Sequence, residues 1–252
     1  MKRQSVIGLP VAVTDYNGAV EWILDKAASA ERAHAVEAAN THVAALARSD
    51  DAFKESISRF DLIVPDGMPL VWAINAELES DHKLKDRVYG PSLMLETFAA
   101  TGERPDVSHF LLGGSQETLD KLQKRLSEDY PDSTIAGSYS PPFGEWDDNE
   151  QQKIEQKIRD SGAKLIWVGL GCPKQEHWIA HHLKSLPSGV YFGIGAAFAF
   201  HAGEVSQAPA ILQKLGLEWT YRLAMEPRRL LRRYLTYNSL FVWHWLRDRM
   251  RD

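Results

Sequence analysis

The architecture of this chain is clearest in the segment Leu165-Ile166-Trp167-Val168-Gly169-Leu170-Gly171-Cys172-Pro173-Lys174-Gln175-Glu176. A short apolar run enters a glycine turn, and a polar stretch that suits a helix follows the proline. The same order of apolar run, glycine turn and helix recurs in residues 109–115 and 190–197. A strand that passes through a tight turn into a helix is the unit of a parallel sheet covered by helices. The repetition predicts an α/β fold.

Short apolar runs alternate with amphipathic stretches along the rest of the chain. Further candidate strands are residues 11–13, 35–38, 62–64 and 134–136, and candidate helices are residues 17–28, 91–100, 116–129, 148–161 and 175–185. This alternation predicts a Rossmann-like, mostly parallel sheet flanked by helices.

Charge is distributed unevenly along the 252 residues. The 29 Lys and Arg against 34 Asp and Glu give a formal charge of −5, which argues against a nucleic-acid-binding protein. Residues 222–252 nevertheless hold eight arginines and three acidic residues, a net charge of +5, so residues 1–221 carry −10. We therefore expect an α/β core over residues 1–207 and a basic helical appendage over residues 208–252.

The start of the basic segment has the pattern of an amphipathic helix. At about 100° per residue, one half of the helix carries arginines and the other half carries apolar residues. The arginines are Arg228, Arg229, Arg232 and Arg233, and the apolar residues are Leu230, Leu231, Tyr234 and Leu235. Such a helix can lie on an anionic membrane surface, pack on its own domain, or close its arginines over a diphosphate. We expect a membrane-docking role for Arg228, Arg233, Leu231, Tyr234 and Leu235.

Several classes of protein are disfavoured by simple features. The single cysteine, Cys172, allows no intramolecular disulfide, so an intracellular protein is the default expectation. Residues 1–10 are too short and too interrupted for a signal peptide, and no uncharged run of about 18 apolar residues occurs. We therefore expect neither secretion by that route nor a membrane-spanning segment.

The three glycine turns are candidates for phosphate binding. Backbone N–H groups at such strand ends can approach a phosphate, although tight packing alone also explains glycine there. No G-x-G-x-x-G or Walker A sequence is present. Around the second turn, a lysine and an amide near the start of a helix are suited to bind a diphosphate or a sugar. Glu176 can equally be explained as an acidic residue that stabilises the first turn of that helix. The candidate residues for binding a diphosphate or a sugar are Gly113, Gly114, Gly171, Pro173, Lys174, Glu176 and Gly195.

Two polar residues directly follow candidate strands. Asp66, in Pro65-Asp66-Gly67, is either a helix-capping turn residue or a general base that takes a proton from an attacking hydroxyl. Asn40 is either an N-cap or a group that positions a sugar. Arg87 precedes a turn into a helix and could reach a phosphate, although arginine is usually a solvated surface residue.

A metal cofactor is not expected. The chain has no Asp-x-Asp and no His-Glu-x-x-His, and His177 with His181 lacks an evident third ligand. Cys172 lacks a neighbouring general base, which disfavours a cysteine nucleophile.

Several long motifs together resemble the WecG/TagA/CpsF glycosyltransferases over essentially the whole chain. They are Gly169–Glu176, Gly193–Phe198, Ala208-Pro209, Gly216–Leu223 and Glu226–Arg229, with Asp66–Met68 and Tyr89–Met94. The resemblance implies an inverting, metal-independent enzyme that moves a sugar from a nucleoside diphosphate, usually UDP, to an undecaprenyl-diphosphate-linked saccharide. It would act in bacterial polysaccharide synthesis, peripherally attached to the cytoplasmic face of the membrane.

The resemblance also implies roles for individual residues. Asp66 matches the proposed base, and Asn40, Arg87 and Gln175 match residues of the same pocket. The family's C-terminal appendage places arginines over the leaving diphosphate, here Arg222, Arg229 and Arg232. The motif variants are most similar to exopolysaccharide members, so the donor sugar is expected to be a hexose, N-acetylmannosamine or its uronic acid.

Two departures from the family pattern leave alternatives open. Ala38 stands where many members have threonine, so a pocket hydroxyl is absent or comes from Thr41. Ala199 stands where many members have an aspartate thought to contact uracil. A protein of the same fold that binds nucleotide sugars or scaffolds a membrane complex without catalysis is therefore the second hypothesis. A dinucleotide oxidoreductase and nucleic-acid binding rank below it, and a homo-oligomer is possible.

Overall fold

The structure, a computed structural model, describes residues 1–29, 31–209, 211–212 and 216–250. The strands of these residues are β1 (Arg3–Val6), β2 (Leu9–Ala12), β3 (Ala33–Ala39), β4 (Leu62–Pro65), β5 (His109–Gly113), β6 (Ile135–Tyr139), β7 (Leu165–Gly169) and β8 (Gly189–Gly193). Six of them form one sheet in the order β4-β3-β8-β7-β5-β6, and every neighbouring pair is parallel.

Helices connect the strands and extend beyond the last one. They are α1 (Tyr16–Ser29), α2 (Thr41–Ser49), α3 (Asp51–Ile57), α4 (Met68–Asn75), α5 (Gly90–Thr101), α6 (Gln116–Asp129), α7 (Asp148–Ser161), α8 (Lys174–His182), α9 (Gly195–His201), α10 (Glu218–Met225) and α11 (Pro227–Arg249), with a 3₁₀ turn at Ser80–His82. The predicted α/β class with a parallel sheet and flanking helices is confirmed.

Each face of the sheet is covered by its own hydrophobic core. Successive strand side chains point to opposite faces, so Ile166 and Val168 join one core while Leu165 and Trp167 join the other. Helices α2, α3, α4, α7 and α8 contribute to the first core, and α1, α5, α6 and α9 contribute to the second. Burial on both faces explains why these strands are continuous apolar runs instead of alternating ones.

One candidate strand lies elsewhere than in the main sheet. Val11 and Ala12 belong to β2, which pairs antiparallel with β1 as a separate hairpin. The turn between them is Ile7-Gly8, where both residues have positive φ angles of 46° and 90°. Such two-residue turns match the twist of a hairpin.

The carboxyl ends of the central strands meet at one edge of the sheet. Strand β3 lies between β4 and β8, with Ala39 opposite Pro65 and Glu37 opposite Gly193. Asn40 and Asp66, the residues that follow β3 and β4, are therefore neighbours. The last helix, α11, packs on α2, which starts at the same edge. The boundary at residue 207 between a core and an appendage stays a prediction.

Candidate functional site

A cleft of about 780 Å³ opens at the carboxyl edge of the sheet. Its floor is formed by the ends of β3, β4, β7 and β8, and residues of α10 and α11 close it from the other side. Three tryptophans, Trp72, Trp219 and Trp245, line it. The location agrees with the rule that open parallel sheets bind ligands beyond their strand carboxyl ends. The cleft is also lined by all four residues expected to act in catalysis, namely Asn40, Asp66, Arg87 and Gln175.

Asp66 is held by the turn that starts α5. Its Oδ1 accepts a 2.7 Å hydrogen bond from the backbone N–H of Gly90. Burial raises the pKa of the Asp66 carboxyl to about 6, while the positive charge of Arg87 and the Gly90 hydrogen bond act in the opposite direction. Asp66 does not cap α4, because that helix begins after Gly67 without a side-chain cap. The carboxylate is thus available to a ligand in the cleft.

Asn40 serves as both an N-cap and a pocket residue. Its Oδ1 accepts hydrogen bonds from the backbone N–H groups of His42 (3.0 Å) and Val43 (3.3 Å) and so caps α2. A hydrogen bond from the Asn40 side chain lowers the pKa of Asp66. The Asn40 oxygen therefore caps α2, whereas its amide nitrogen faces the Asp66 carboxylate.

Arg87 is joined to the C-terminal helices. Its Nη2 donates a 2.7 Å hydrogen bond to Oε2 of Glu218, the first residue of α10. Tyr89 donates from its hydroxyl to Oε1 of the same carboxylate at 2.6 Å, and the Arg87 guanidinium lies 4.2 Å from the centre of the Tyr89 ring. All three residues are buried. This Arg87–Tyr89–Glu218 network links the sheet edge to α10.

Gln175 ties two glycine turns together. Its Oε1 accepts from the backbone N–H of Gly171 (3.1 Å) and of Gly195 (3.2 Å). A Cβ on residue 195 would lie only 2.6 Å from that oxygen, which accounts for the glycine. Because the side chain occupies these two N–H groups, they are not free to bind phosphate. Gly171 and Gly195 line the cleft, and their role in it is structural in this arrangement.

Two glutamates form an acidic pair at the floor of the cleft. Glu37 on β3 and Glu176 on α8 both line it, and each is almost completely buried. Oε1 of Glu176 accepts from the Gln175 amide at 2.8 Å, whereas Oε2 of each glutamate has no hydrogen-bond partner among the described residues. Burial raises the pKa of Glu176 to about 7. Burial and the nearby Glu176 charge also raise the pKa of Glu37.

Glu37 is a site residue that the sequence analysis missed. The signal was available, because Glu37 interrupts the otherwise apolar run Ala35-Val36-Glu37-Ala38. Charged residues are almost never fully buried unless they are paired or functional. An acid inside a strand that is buried on both faces is therefore a candidate site residue.

We expect the acidic pair to make the protein less stable as the pH rises from about 4.5 to about 7.5. A carboxyl whose pKa is higher in the folded state binds more protons when folded, so raising the pH through this interval favours unfolding. For Glu176, with a pKa raised from 4.5 to about 7, the free energy of unfolding should fall by about 3 kcal/mol. The variant Glu176→Gln should show a smaller slope than wild type, with the contributions of Glu37 and Asp66 remaining, as measured by urea unfolding at pH 5 and pH 8.

An exposed glutamate supplies the control for that experiment. Glu21 on α1 is exposed, so Glu21→Gln should keep the wild-type dependence on pH. Equal slopes for wild type and Glu176→Gln would contradict the expected role of the pair.

Two arginines of the C-terminal helices reach the cleft. Arg222 of α10 and Arg233 of α11 both line it, and the Nε of each is buried without a hydrogen-bond partner among the described residues. The Arg222 guanidinium lies 5.2 Å from the centre of the Phe200 ring. Donors without partners in a buried site suit an anionic ligand.

The structure places some predicted donor-binding residues elsewhere. Lys174 donates to the carbonyl of Gly144 and its ammonium lies 4.2 Å from the Trp146 ring, so it is turned away from the cleft. A Cβ on Gly113 would come within 2.6 Å of the Gly169 carbonyl, so tight packing explains this glycine. Gly114 packs near Phe198 and Thr118. Like these residues, Pro173 and Arg232 do not line the cleft, whereas Glu176 does.

The inward face of α11 differs from the predicted one. Arg233 and Tyr234, expected at a membrane, line the cleft, while Arg232, expected over the diphosphate, is exposed. The reason is the packing of α11, which buries Leu230 and Phe241 and so turns the neighbouring residue 233 inward. The side chain of Arg229 lies outside the described residues.

The outward face of α11 is apolar with basic residues beside it. Its exposed apolar residues are Leu231, Leu235, Trp243 and Leu246, and exposed Met250 directly follows the helix. Arg228 and Arg232 are exposed on the same side. We call this set the α11 outer face. Leu231, Leu235 and Arg228 are thus exposed, as a membrane-docking role requires. Within residues 1–29, 31–209, 211–212 and 216–250, every helix is too short or too polar for a transmembrane span.

The departures from the family pattern are also visible in the cleft. Ala38 and Ala199 both line it. Thr41, the suggested replacement for the missing hydroxyl, donates to Oδ1 of Asn238 on α11 at 2.7 Å. No carboxylate is present at residue 199 to contact a base.

The suggested metal ligands are separated from the cleft. His177 contacts Ser56 through Nδ1 at 2.8 Å and packs on Phe53. Within the described part of the chain, the group of side chains close enough to hold an ion is Glu79, Asp81 and His82, all exposed and none lining the cleft. Burial and the charge of Glu176 raise the pKa of Cys172, which disfavours a thiolate nucleophile.

Known proteins resemble this chain over most of its length. The model of the Glycosyl transferase WecG/TagA/CpsF family matches residues 4–252. Relatives from Staphylococcus aureus strains MW2, NCTC 8325 / PS 47 and COL are each 31% identical over 199 residues, which covers 76% of this chain and 72% of the relative. Each is named N-acetylglucosaminyldiphosphoundecaprenol N-acetyl-beta-D-mannosaminyltransferase.

Proposed function

The chain belongs to the WecG/TagA/CpsF family of glycosyl transferases, and from this membership we propose that it moves a sugar from a uridine diphosphate donor to an undecaprenyl-diphosphate-linked saccharide. The relatives' name describes the transfer of N-acetylmannosamine to an undecaprenyl-diphosphate-linked N-acetylglucosamine. The observation that carries the proposal is the meeting of Asp66, Arg222 and Arg233 in one cleft. A base and anion-binding groups are the two parts that glycosyl transfer from a nucleotide sugar requires.

The reaction is a direct displacement with inversion. The acceptor hydroxyl gives its proton to the Asp66 carboxylate, and its oxygen forms a bond to the anomeric carbon of the donor. On the opposite side of that carbon, the bond to the diphosphate oxygen breaks and the nucleoside diphosphate leaves with the electron pair. With a pKa of about 6, the Asp66 carboxyl is ionised at neutral pH and can accept the proton.

The leaving diphosphate is stabilised by arginine charge in this proposal. The buried Nε of Arg222 and of Arg233 has no hydrogen-bond partner within the part of the chain that the structure describes, and guanidinium groups bind phosphate in a forked geometry. Arg87 adds positive charge near Asp66, although Glu218 holds one of its nitrogens. These groups would supply the electrostatic stabilisation without a metal ion.

A transfer assay with purified protein tests the function. The donors are UDP-glucose and UDP-N-acetylmannosamine, and the acceptor is a polyprenyl diphosphate carrying N-acetylglucosamine. We expect an elongated lipid-linked product with inverted anomeric configuration, formed equally well in excess EDTA. Binding of UDP without transfer from either donor would favour the non-catalytic alternative.

Attachment to an anionic membrane surface is the second part of the proposal, and it depends on the α11 outer face. Leu235 is 63% exposed and Leu246 is 49% exposed, and basic residues stand beside them. Complete burial of an exposed leucine contributes about 1.5–3 kcal/mol, so these partly exposed side chains gain a part of that each, and each nearby arginine adds about 1 kcal/mol on an anionic leaflet. The acceptor's lipid anchor lies in the same membrane.

We expect the double variant Leu235→Glu/Leu246→Glu to lose membrane binding. Flotation with vesicles of phosphatidylglycerol and phosphatidylethanolamine should decrease at least about tenfold, because apolar contact is lost and negative charge is repelled. Phe143→Glu, a change at a fully exposed loop residue outside α11, is the matched control and should float like the wild type. Undiminished flotation of the double variant would contradict a docking role for the α11 outer face.

A further inference from the structure

The buried acidic pair has hydrogen-bonding capacity that the fold does not use. Glu37 is 2% exposed and Glu176 is 0% exposed, yet Oε2 of each lacks a partner among the described residues. An unsatisfied buried carboxyl oxygen costs stability, so its presence in a cleft points to a ligand that satisfies it. Both residues line the cleft that contains Asp66.

Glu37, Gln175 and Glu176 all line the cleft, and we call these three residues the row. A Cβ on Gly193 would lie 2.4 Å from Oε2 of Glu37 and 3.5 Å from Nε2 of Gln175, so this glycine leaves room for both groups. Nε2 of Gln175 then donates to Glu176 at 2.8 Å. Glu37 and Glu176 therefore each contribute one carboxyl oxygen that has no hydrogen-bond partner among the described residues.

The row is suited to an uncharged partner. Two carboxyl groups buried in one cleft do not both ionise readily, and burial together with the charge of Glu176 raises the pKa of Glu37, so the pair resists full ionisation. It can both donate and accept a hydrogen bond, as ring hydroxyls of a sugar require. The diphosphate is the ligand group suited to Arg222 and Arg233, which line the same cleft.

We propose that Glu37 and Glu176 bind the ring of the transferred sugar and select an uncharged sugar over one that carries a carboxylate. The inference rests on the proposed function, because it requires a sugar nucleotide in this cleft. The transferred ring has to lie between the base and the leaving diphosphate, since the bond that breaks joins ring and diphosphate. Among the expected donors, a hexose or an N-acetylhexosamine is then favoured over a uronic acid.

UDP-glucose and UDP-glucuronic acid provide a matched pair of probes, because they differ only in the charged group at C6. Calorimetric titration at pH 7.5 should show the wild type binding UDP-glucose at least about tenfold more tightly, a difference of about 1.4 kcal/mol. In the double variant Glu37→Gln/Glu176→Gln, the ratio of the two affinities should fall below about three. The affinity for UDP alone should stay within about twofold in both proteins, because UDP carries no sugar.

The outcomes separate the inference from the function on which it rests. If wild type does not bind UDP, the proposed uridine donor is overturned. If UDP binds but the two sugar nucleotides bind equally, or the double variant keeps the wild-type ratio, the selection by the acidic pair is overturned. If the double variant fails to bind UDP, the single variant Glu37→Gln replaces it, and its ratio should fall at least about threefold. Glu21→Gln should match wild type throughout.

Discussion

Replacing Asp66 by asparagine should lower the turnover of the lipid-linked acceptor about 10³-fold, because a positioned general base contributes in this range. Asparagine has nearly the same shape and can still accept the hydrogen bond from Gly90, but it cannot take a proton at neutral pH. The measurement is kcat at saturating donor and acceptor. The affinity for UDP should change little, since Asp66 contacts the acceptor in the proposed reaction.

The pH profile gives a second test of the same residue. Activity should rise through pH 6 and reach a plateau above it, because the Asp66 carboxyl, with a pKa of about 6, accepts a proton only when it is ionised. Asp66→Asn should lose this acid limb in its residual activity. Asp132→Asn, at an exposed turn, is the control and should behave like wild type. Near-normal turnover of Asp66→Asn would exclude it as the base.

Replacing Glu218 by alanine should destabilise the protein by about 3 kcal/mol, since removing one partner of a buried ion pair is costly. Arg87 and the Tyr89 hydroxyl each lose the Glu218 oxygen that accepts from them in this variant. Turnover should also fall more than about tenfold, because Arg87 then moves relative to Asp66. Urea unfolding and the transfer assay measure the two effects.

A double-mutant cycle attributes that effect to the network. Arg87→Ala and Glu218→Ala should be strongly non-additive, with an interaction free energy above about 1 kcal/mol, because the two side chains share a buried contact. Glu218→Gln should cost less than Glu218→Ala, since its oxygen still accepts from Tyr89. Glu21→Ala should leave stability unchanged. Additive single changes would mean that Glu218 acts independently of Arg87.

Much of the sheet could be predicted because its strands are buried on both faces. Runs such as Leu165–Val168 are apolar throughout, so their number and the glycine turns after them indicate a parallel sheet. The positions of Asn40 and Asp66 also followed, because neighbouring parallel strands bring their carboxyl ends to one edge. The succession of apolar runs and glycine turns along the sequence was enough to predict these features.

Contacts between distant segments could not be predicted in the same way. A helical wheel separates Arg232 from Arg233 by about 100°, but the packing of α11 on α2 decides which of them faces the cleft. The partner of Arg87 lies 131 residues away, at Glu218. Lys174 follows a glycine turn as expected, yet the carbonyl of Gly144 and the Trp146 ring hold it elsewhere.

The tryptophans of the cleft give the molecule an optical reporter of occupancy. Trp72, Trp219 and Trp245 are three of the eight tryptophans, and each lines the space that a nucleotide sugar would fill. Trp167, in contrast, is completely buried and stacks on Phe192 with 3.9 Å between ring centres. Ligand binding should therefore change the emission of the solvent-facing indoles, whereas that of Trp167 changes on unfolding. Fluorescence spectra can thus distinguish a filled cleft from a loosened core without any attached dye.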